Sequence, residues 1–175
     1  MAATPYIPTI LIDAVIGALA VFIAPFIGDD PSNPQLIIRA QQNRVPPPVP
    51  AFVELREILE QDLETPAMEN VTEYQQLIIT TPTRIDIQMD FYGPSAGDWL
   101  KAVKAVFRTP YAVAQFPPAI APLFCSDGRQ VPLVTGEEQY ENRWVATATL
   151  QYNPDVTVSQ QSATSLAMNI IEDIQ

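Results

Sequence analysis

Thr83-Arg-Ile-Asp-Ile-Gln-Met-Asp-Phe91 is the stretch on which the fold turns. Ile85, Ile87, Met89 and Phe91 stand on one side of it, and Arg84, Asp86, Gln88 and Asp90 on the other. Strict alternation over this length predicts a half-buried antiparallel strand, with its polar side turned to water or to a partner. The strand is expected to begin as early as Gln75 and so to be long. A second strand of the same kind is expected at 143–152. There Trp144, Ala146, Ala148, Leu150 and Tyr152 alternate with Arg143, Val145, Thr147, Thr149 and Gln151.

The flanking pattern supplies helices and turns. Thr9 reads as the cap of a first apolar helix, with Asp13 near the positive end of its dipole. Pro25 and Gly28-Asp29-Asp30-Pro31 stop it. Leu36-Ile37-Ile38 reads as a short strand. Ser95-Ala-Gly-Asp98 has the spacing of a capping box before a second helix. That helix should carry Trp99, Ala102, Val103, Val106 and Phe107 inward, and end at Thr109-Pro110. The segment 110–122 reads as a covered connector, and 123–125 and 156–158 as short strands. A last helix would begin near Ser162. The segment 51–64 fits either period, with a slight preference for helix.

Composition closes off several functions. The chain has 175 residues, 9 basic and 20 acidic side chains, no histidine, one cysteine, 18 prolines and 6 glycines. A formal charge of −11 argues against a nucleic-acid reader, which needs a cationic patch. Without histidine there is no Ser-His or Cys-His pair and no His-metal site. A lone cysteine makes no intrachain disulfide and no thiolate zinc site. The length suits a single domain over 1–175. The uncharged run 14–27 is shorter than the ~20 residues a membrane span needs. It has no basic flank, so a helix buried in a core or a subunit interface is expected, and no membrane contact.

A search for chemistry finds little. Asp86 and Asp90 would lie about 13 Å apart on one strand face, too far for a carboxylate pair acting on one bond. Glu137, Glu138 and Glu141 lack the spacing of a calcium loop. No phosphate-binding glycine motif occurs, and Cys125 sits in an apolar run, as an inert core thiol does. No cofactor is expected, nor a catalytic or metal site. Several features look instead like contact surfaces. The stiff proline-rich arm at 41–50 is one, Tyr92 and the other large aromatics a second. Lys101, Lys104 and Arg108 form the main positive cluster on an acidic protein.

Four segments, in order, resemble the tail-terminator (neck-terminator) proteins of contractile-tailed bacteriophages. They are Ala40-Gln-Gln-Asn-Arg-Val-Pro46, Asp90-Phe-Tyr-Gly-Pro-Ser-Ala-Gly-Asp-Trp99, Gln130-Val-Pro-Leu-Val-Thr-Gly-Glu-Glu-Gln-Tyr-Glu-Asn-Arg-Trp144 and Leu150-Gln-Tyr-Asn-Pro154. The resemblance implies an α+β fold, a mixed and mainly antiparallel sheet flanked by two or three helices, assembled as a ring, a hexamer in this family. It makes 52–63 a strand. It implies a non-enzymatic virion protein at the tail-neck junction, assembled in the host cytoplasm. Such a protein caps the tail tube, ends tube and sheath growth, docks a neck or head-completion protein, and lets DNA through unbound. On this reading Arg39, Gln42, Asn43, Arg44, Pro46, Pro47, Pro48, Tyr92, Lys101, Lys104 and Arg108 are candidates for subunit or tube contacts. Asp29, Asp30, Glu137, Glu138 and Glu141 are candidates for the lumen, where carboxylates repel phosphate. Another head-tail joining ring protein and a small-ligand-binding α+β domain remain the alternatives.

Overall fold

The computed structural model describes residues 6–40, 51–131, 133–134 and 140–160. The chain opens with helix α1 (Ile12–Ile27), whose residues Val15, Ile16, Leu19, Phe22, Ile23 and Ile27 are buried. Thr9 is not its cap. Leu11 holds that position without a side-chain bond, while the Thr9 hydroxyl accepts the Asp155 amide at 2.9 Å. Pro25 lies inside the last turn, and Gly28 closes it. The φ of 76° at Gly28 is a left-handed cap that glycine adopts without a Cβ penalty.

Strand β1 (Ile37–Arg39) follows and pairs parallel to β2 (Phe52–Asp62). The expectation of a strand at 52–63 holds. Val53 and Leu55 are buried in it, and β2 pairs antiparallel along the length of β5 (Thr83–Tyr92). Between them lie β3 (Ala67–Val71), a 3-10 turn (Thr72–Tyr74) and β4 (Gln76–Thr80). The long strand expected from Gln75 is therefore two strands, broken at Thr81-Pro82, and the halves belong to different sheets. Pro82 has no amide donor to carry a ladder through that point.

Helix α2 (Ala96–Phe107) comes next. Ser95 takes the N-cap position, but its side chain makes no cap bond. Leu100 is buried with Val103 and Phe107, while Ala102, expected inward, is exposed. The expected connector begins as a short helix, α3 (Pro110–Gln115), with most of its residues exposed. Strands β6 (Ile120–Cys125), β7 (Arg129–Gln130), β8 (Leu133–Val134), β9 (Tyr140–Glu141), β10 (Arg143–Tyr152) and β11 (Asp155–Ser159) complete the described chain. The helix expected after Ser162 lies outside the described residues.

The main sheet has the order β1-β2-β5-β10-β6, with β7 also on β10. One parallel pair among antiparallel ones makes it mixed, as expected. One buried cluster joins α1, α2 and α3 to the inward residues of β2, β5, β10 and β6. Phe22 anchors the helical layer, with its ring 5.7 Å from Phe107 and 5.2 Å from Phe116. A second, smaller sheet has the order β11-β4-β3. It continues from the ends of β2, β5 and β10 as a three-stranded arm.

Candidate functional site

Two surfaces stand out. The first is the sheet face away from the helices, where the expected wet side of β5 carries a largely buried polar network. Asp90 is 0% exposed and Asp86 7%. Arg84 grips Asp86 with two hydrogen bonds, at 3.0 and 2.7 Å, and Thr149 Oγ1 donates to the same carboxylate at 2.7 Å. Gln88 Nε2 donates to Asp90 at 2.8 Å and Arg143 Nη2 at 3.0 Å. Burial pulls the Arg143 guanidinium down, but the hydrogen bond and charge of Asp90, with Tyr92 and Glu54, outweigh it and leave a net upward shift. The alternation was legible in the sequence. The depth of burial was not, because it comes from long neighbours on β2 and β10 closing over short carboxylates.

Tyr92, expected as a contact residue, belongs to this interior. Its ring stacks on Phe52 with centroids 4.4 Å apart, and its hydroxyl donates to Glu54 at 3.2 Å. Arg143 lies over the other side, 5.6 Å from the ring centre. Burial, with smaller contributions from Asp90 and Glu54, pushes its hydroxyl up to about 12 despite the opposing charge of Arg143. Tyr92 therefore braces β2 against β10.

The second surface is the outer side of α2. Gly97, Asp98, Leu100, Lys101, Lys104, Gly128 and Trp144 line an open groove of about 340 Å³. The glycines let its walls close up: a Cβ at Gly128 would stand 2.6 Å from Leu100, and one at Gly97 would stand 3.0 Å from the Trp144 indole. Lys101 is exposed. Lys104 pairs with Asp127, and this hydrogen bond and charge lower the Asp127 carboxyl. The Arg108 guanidinium sits 5.5 Å above the Phe124 ring at the β6 edge. Of the three cations singled out in the sequence, Lys101 and Lys104 lie on α2 and Arg108 caps its end, each in a different setting.

The other expected residues are scattered. Arg39, at the end of β1, pairs with Asp13 of α1. The Asp29 carboxylate accepts the amides of Gln35 and Leu36, both at 2.8 Å, and so shapes the turn after α1. Asp30 accepts the Ser32 hydroxyl and amide, which lowers its carboxyl below the ordinary range. Gln42, Asn43, Arg44, Pro46, Pro47, Pro48, Glu137 and Glu138 lie outside the described residues. Glu141 contributes its backbone to the β8–β9 pair.

Sequence reasoning missed the arm as a unit. Residues 65–74 carried no reading, although Leu77-x-Ile79 and Val156-x-Val158 alternate as strands do. Among the described residues, no group of three His, Cys, Asp or Glu side chains is placed to hold a metal. No helix among them is long and apolar enough to cross a membrane. Cys125 is buried, and burial pushes its thiol up to about 11, which suppresses the thiolate needed for nucleophilic chemistry.

Residues 11–174 match the family described as phage neck terminator protein. That match spans nearly the whole chain, and the chain belongs to this family of structural virion proteins. No curated protein matches it.

Proposed function

We propose that this neck terminator forms a hexameric ring on the last ring of the tail tube of a contractile-tailed phage, where it ends growth and presents the neck-docking face. The family match over residues 11–174 carries this reading. A neck protein works in the virion, against other neck and tail proteins. The finer assignment draws support from charge and shape. A formal charge of −11 per chain suits a ring through which DNA passes without adhering, because anionic walls release no counterions to phosphate. Asp29 and Asp30 are held by local hydrogen bonds, so they offer fixed negative charge to a lumen or its rim. Glu137, Glu138 and Glu141 are the further lumen candidates. The proline-rich segment 41–50 and the cations Lys101, Lys104 and Arg108 are the candidates for subunit and tube contact.

The test is a tail-assembly assay with purified tubes. Adding this chain should stop tube growth at a fixed length and leave a ring at one end in stained micrographs. Binding to a portal or head-completion ring instead, with tube growth unchanged, would move the protein to the head side of the neck. Tubes that ignore it altogether would overturn the reading.

A further inference from the structure

The arm has two unlike faces. Residues paired directly across strands share a face. Met68, Ile79 and Val156 therefore stand together, and beside them Asn70, Leu77 and Val158. Five of these six side chains are apolar. Met68 is 68% exposed, and Leu77, Ile79, Val156 and Val158 are only half-buried. None of the five joins the buried cluster of the main sheet. The other face sets Glu69, Thr157, Gln76 and Ser159 around Ile78. A sheet that is apolar on one face calls for a second layer on that face.

The sequence holds a segment that fits it. Beyond the described residues, Ala163, Leu166, Ala167, Ile170, Ile171 and Ile174 recur at the spacing of one helix face. Ser162 stands at the capping position before them. The segment's two charged residues, Glu172 and Asp173, fall outside the apolar stripe. As a helix, residues 163–174 would measure ~18 Å, and strands of the arm's length ~17 Å. The width matches as well. Three strands span about 10 Å between their outer axes, and a helix with its side chains is ~10–12 Å across.

The path of the chain brings the two together. β11 runs toward the tip of the arm, where Ser159 pairs with Gln76 and the Gln160 amide donates to the Gln75 carbonyl at 2.9 Å. The chain therefore leaves the described residues at that tip, on one edge of the three-stranded sheet. Between Gln160 and the capping Ser162 stands Gln161 alone. Connections this short join a strand to a helix packed back on the same sheet. At ~3.5 Å per residue, three residues reach only ~10 Å. The match to the neck terminator family runs through residue 174, so the segment belongs to the same domain as the arm.

We propose that residues 162–174 form a helix that folds back from the tip and covers the apolar face of their own arm, with Leu166 over Leu77 and Val158, and Ile170 over Ile79 and Val156. The spacing keeps step: four helical residues rise ~6 Å and two strand residues ~7 Å. Glu172 and Asp173 are left to water. The arm is then a two-layer unit closed by its own chain, whatever the oligomeric state.

Thiol reactivity tests it in the full-length chain. Cys125 is buried, so an introduced cysteine reports alone. I79C places a thiol at the centre of the apolar face, and T157C places one on the opposite face. A soluble aryl disulfide should label I79C roughly tenfold or more slowly than it labels I79C/L166D/I170D, because the helix must open before the thiol reacts. T157C should react at one rate with and without L166D/I170D. Circular dichroism checks that each variant keeps its strands. An I79C rate that L166D/I170D leaves unchanged overturns the proposal, since another occupant, or none, then stands on the face. A rise shared equally by T157C counts against it, because the arm itself would have opened. Protection of I79C that fades on dilution puts the segment on a neighbouring copy and overturns the fold-back. Hydrogen exchange gives a second measurement without a cysteine. Amides of 166–174 should exchange roughly tenfold or more slowly than in an isolated 161–175 peptide, and I79D should remove that protection. Exchange at the peptide rate in the unaltered chain overturns the proposal.

Discussion

β5 and β4 are neighbours in the chain, separated by Thr81-Pro82, and both carry apolar residues at alternate positions. Their fates differ. β5 is covered on one face by helices and closed on the other by paired charges. β4 lies in a sheet of three strands whose apolar face nothing in the described chain covers. The difference does not lie in the strands. It lies in their surroundings: β5 leads into α2, which folds back onto the sheet, while β4 is framed by two other strands and a turn. One region buries its apolar residues fully, and the other leaves its own half-exposed.

The comparison can be broken by substitution. Ile87→Ala, at a site 0% exposed, should cost about 4 kcal/mol in urea unfolding, through lost burial and a cavity. Asp90→Ala should cost about 3 kcal/mol, because it leaves Arg143 without its carboxylate on a dry face. Replacing both partners, with Asp90→Leu and Arg143→Met, should recover most of that loss. Ile79→Ala on the arm should cost only about 1 kcal/mol in a chain already carrying L166D/I170D, since its side chain is then half-exposed. In the otherwise unaltered chain, an arm substitution as costly as that at Ile87 would show the arm face to be covered within the monomer.

The smallest effect concerns pH. The Cys125 thiol is pushed up to about 11 when folded, above its value in an unfolded chain. Below pH ~8 both states keep the proton and the group contributes nothing to pH dependence. From pH ~9 upward the unfolded chain loses it first, so stability falls as pH rises toward ~11. Comparison with Cys125→Ala should isolate a loss of under about 1 kcal/mol at pH ~9.5.

The main sheet was legible because its signal is local. Residues 83–91 and 143–152 each state their period without help from elsewhere. The strand at 52–63 was not, because Val53, Leu55, Leu59 and Leu63 fit both periods. Only pairing with β5 resolves it, together with a shift of register between Glu57 and Leu59. The α2 cations were visible as a cluster, but the groove beside them was not. It needs Trp144 and Gly128, brought in from distant positions. The burial of Tyr92 was hidden for a related reason: an aromatic beside a turn looks exposed until the partner that stacks on it is known. The arm was read only in pieces, as strand from Gln75 and at 156–158, because its two apolar alternations stand nearly eighty residues apart and become one face only in the folded sheet.

The network around Asp86 and Asp90 has one more consequence, which concerns error rather than strength. Every inward position of β5 from Ile85 to Phe91 is apolar, and so is every inward position of β10 from Trp144 to Tyr152. A slip of two residues between these strands would leave each side chain on its proper face, and the hydrophobic pattern would hardly register it. The polar positions would. In the direction that sets Asp90 opposite Thr147, Asp86 would move away from Thr149 and Asp90 away from Arg143, stranding charge in a place that water reaches poorly. The Asp90–Arg143 pair thus rejects a misalignment in that direction that hydrophobicity alone would accept. In a protein whose work is to match the geometry of its neighbours, a sheet out of register by one pleat would be stable enough to persist and wrong enough to block assembly.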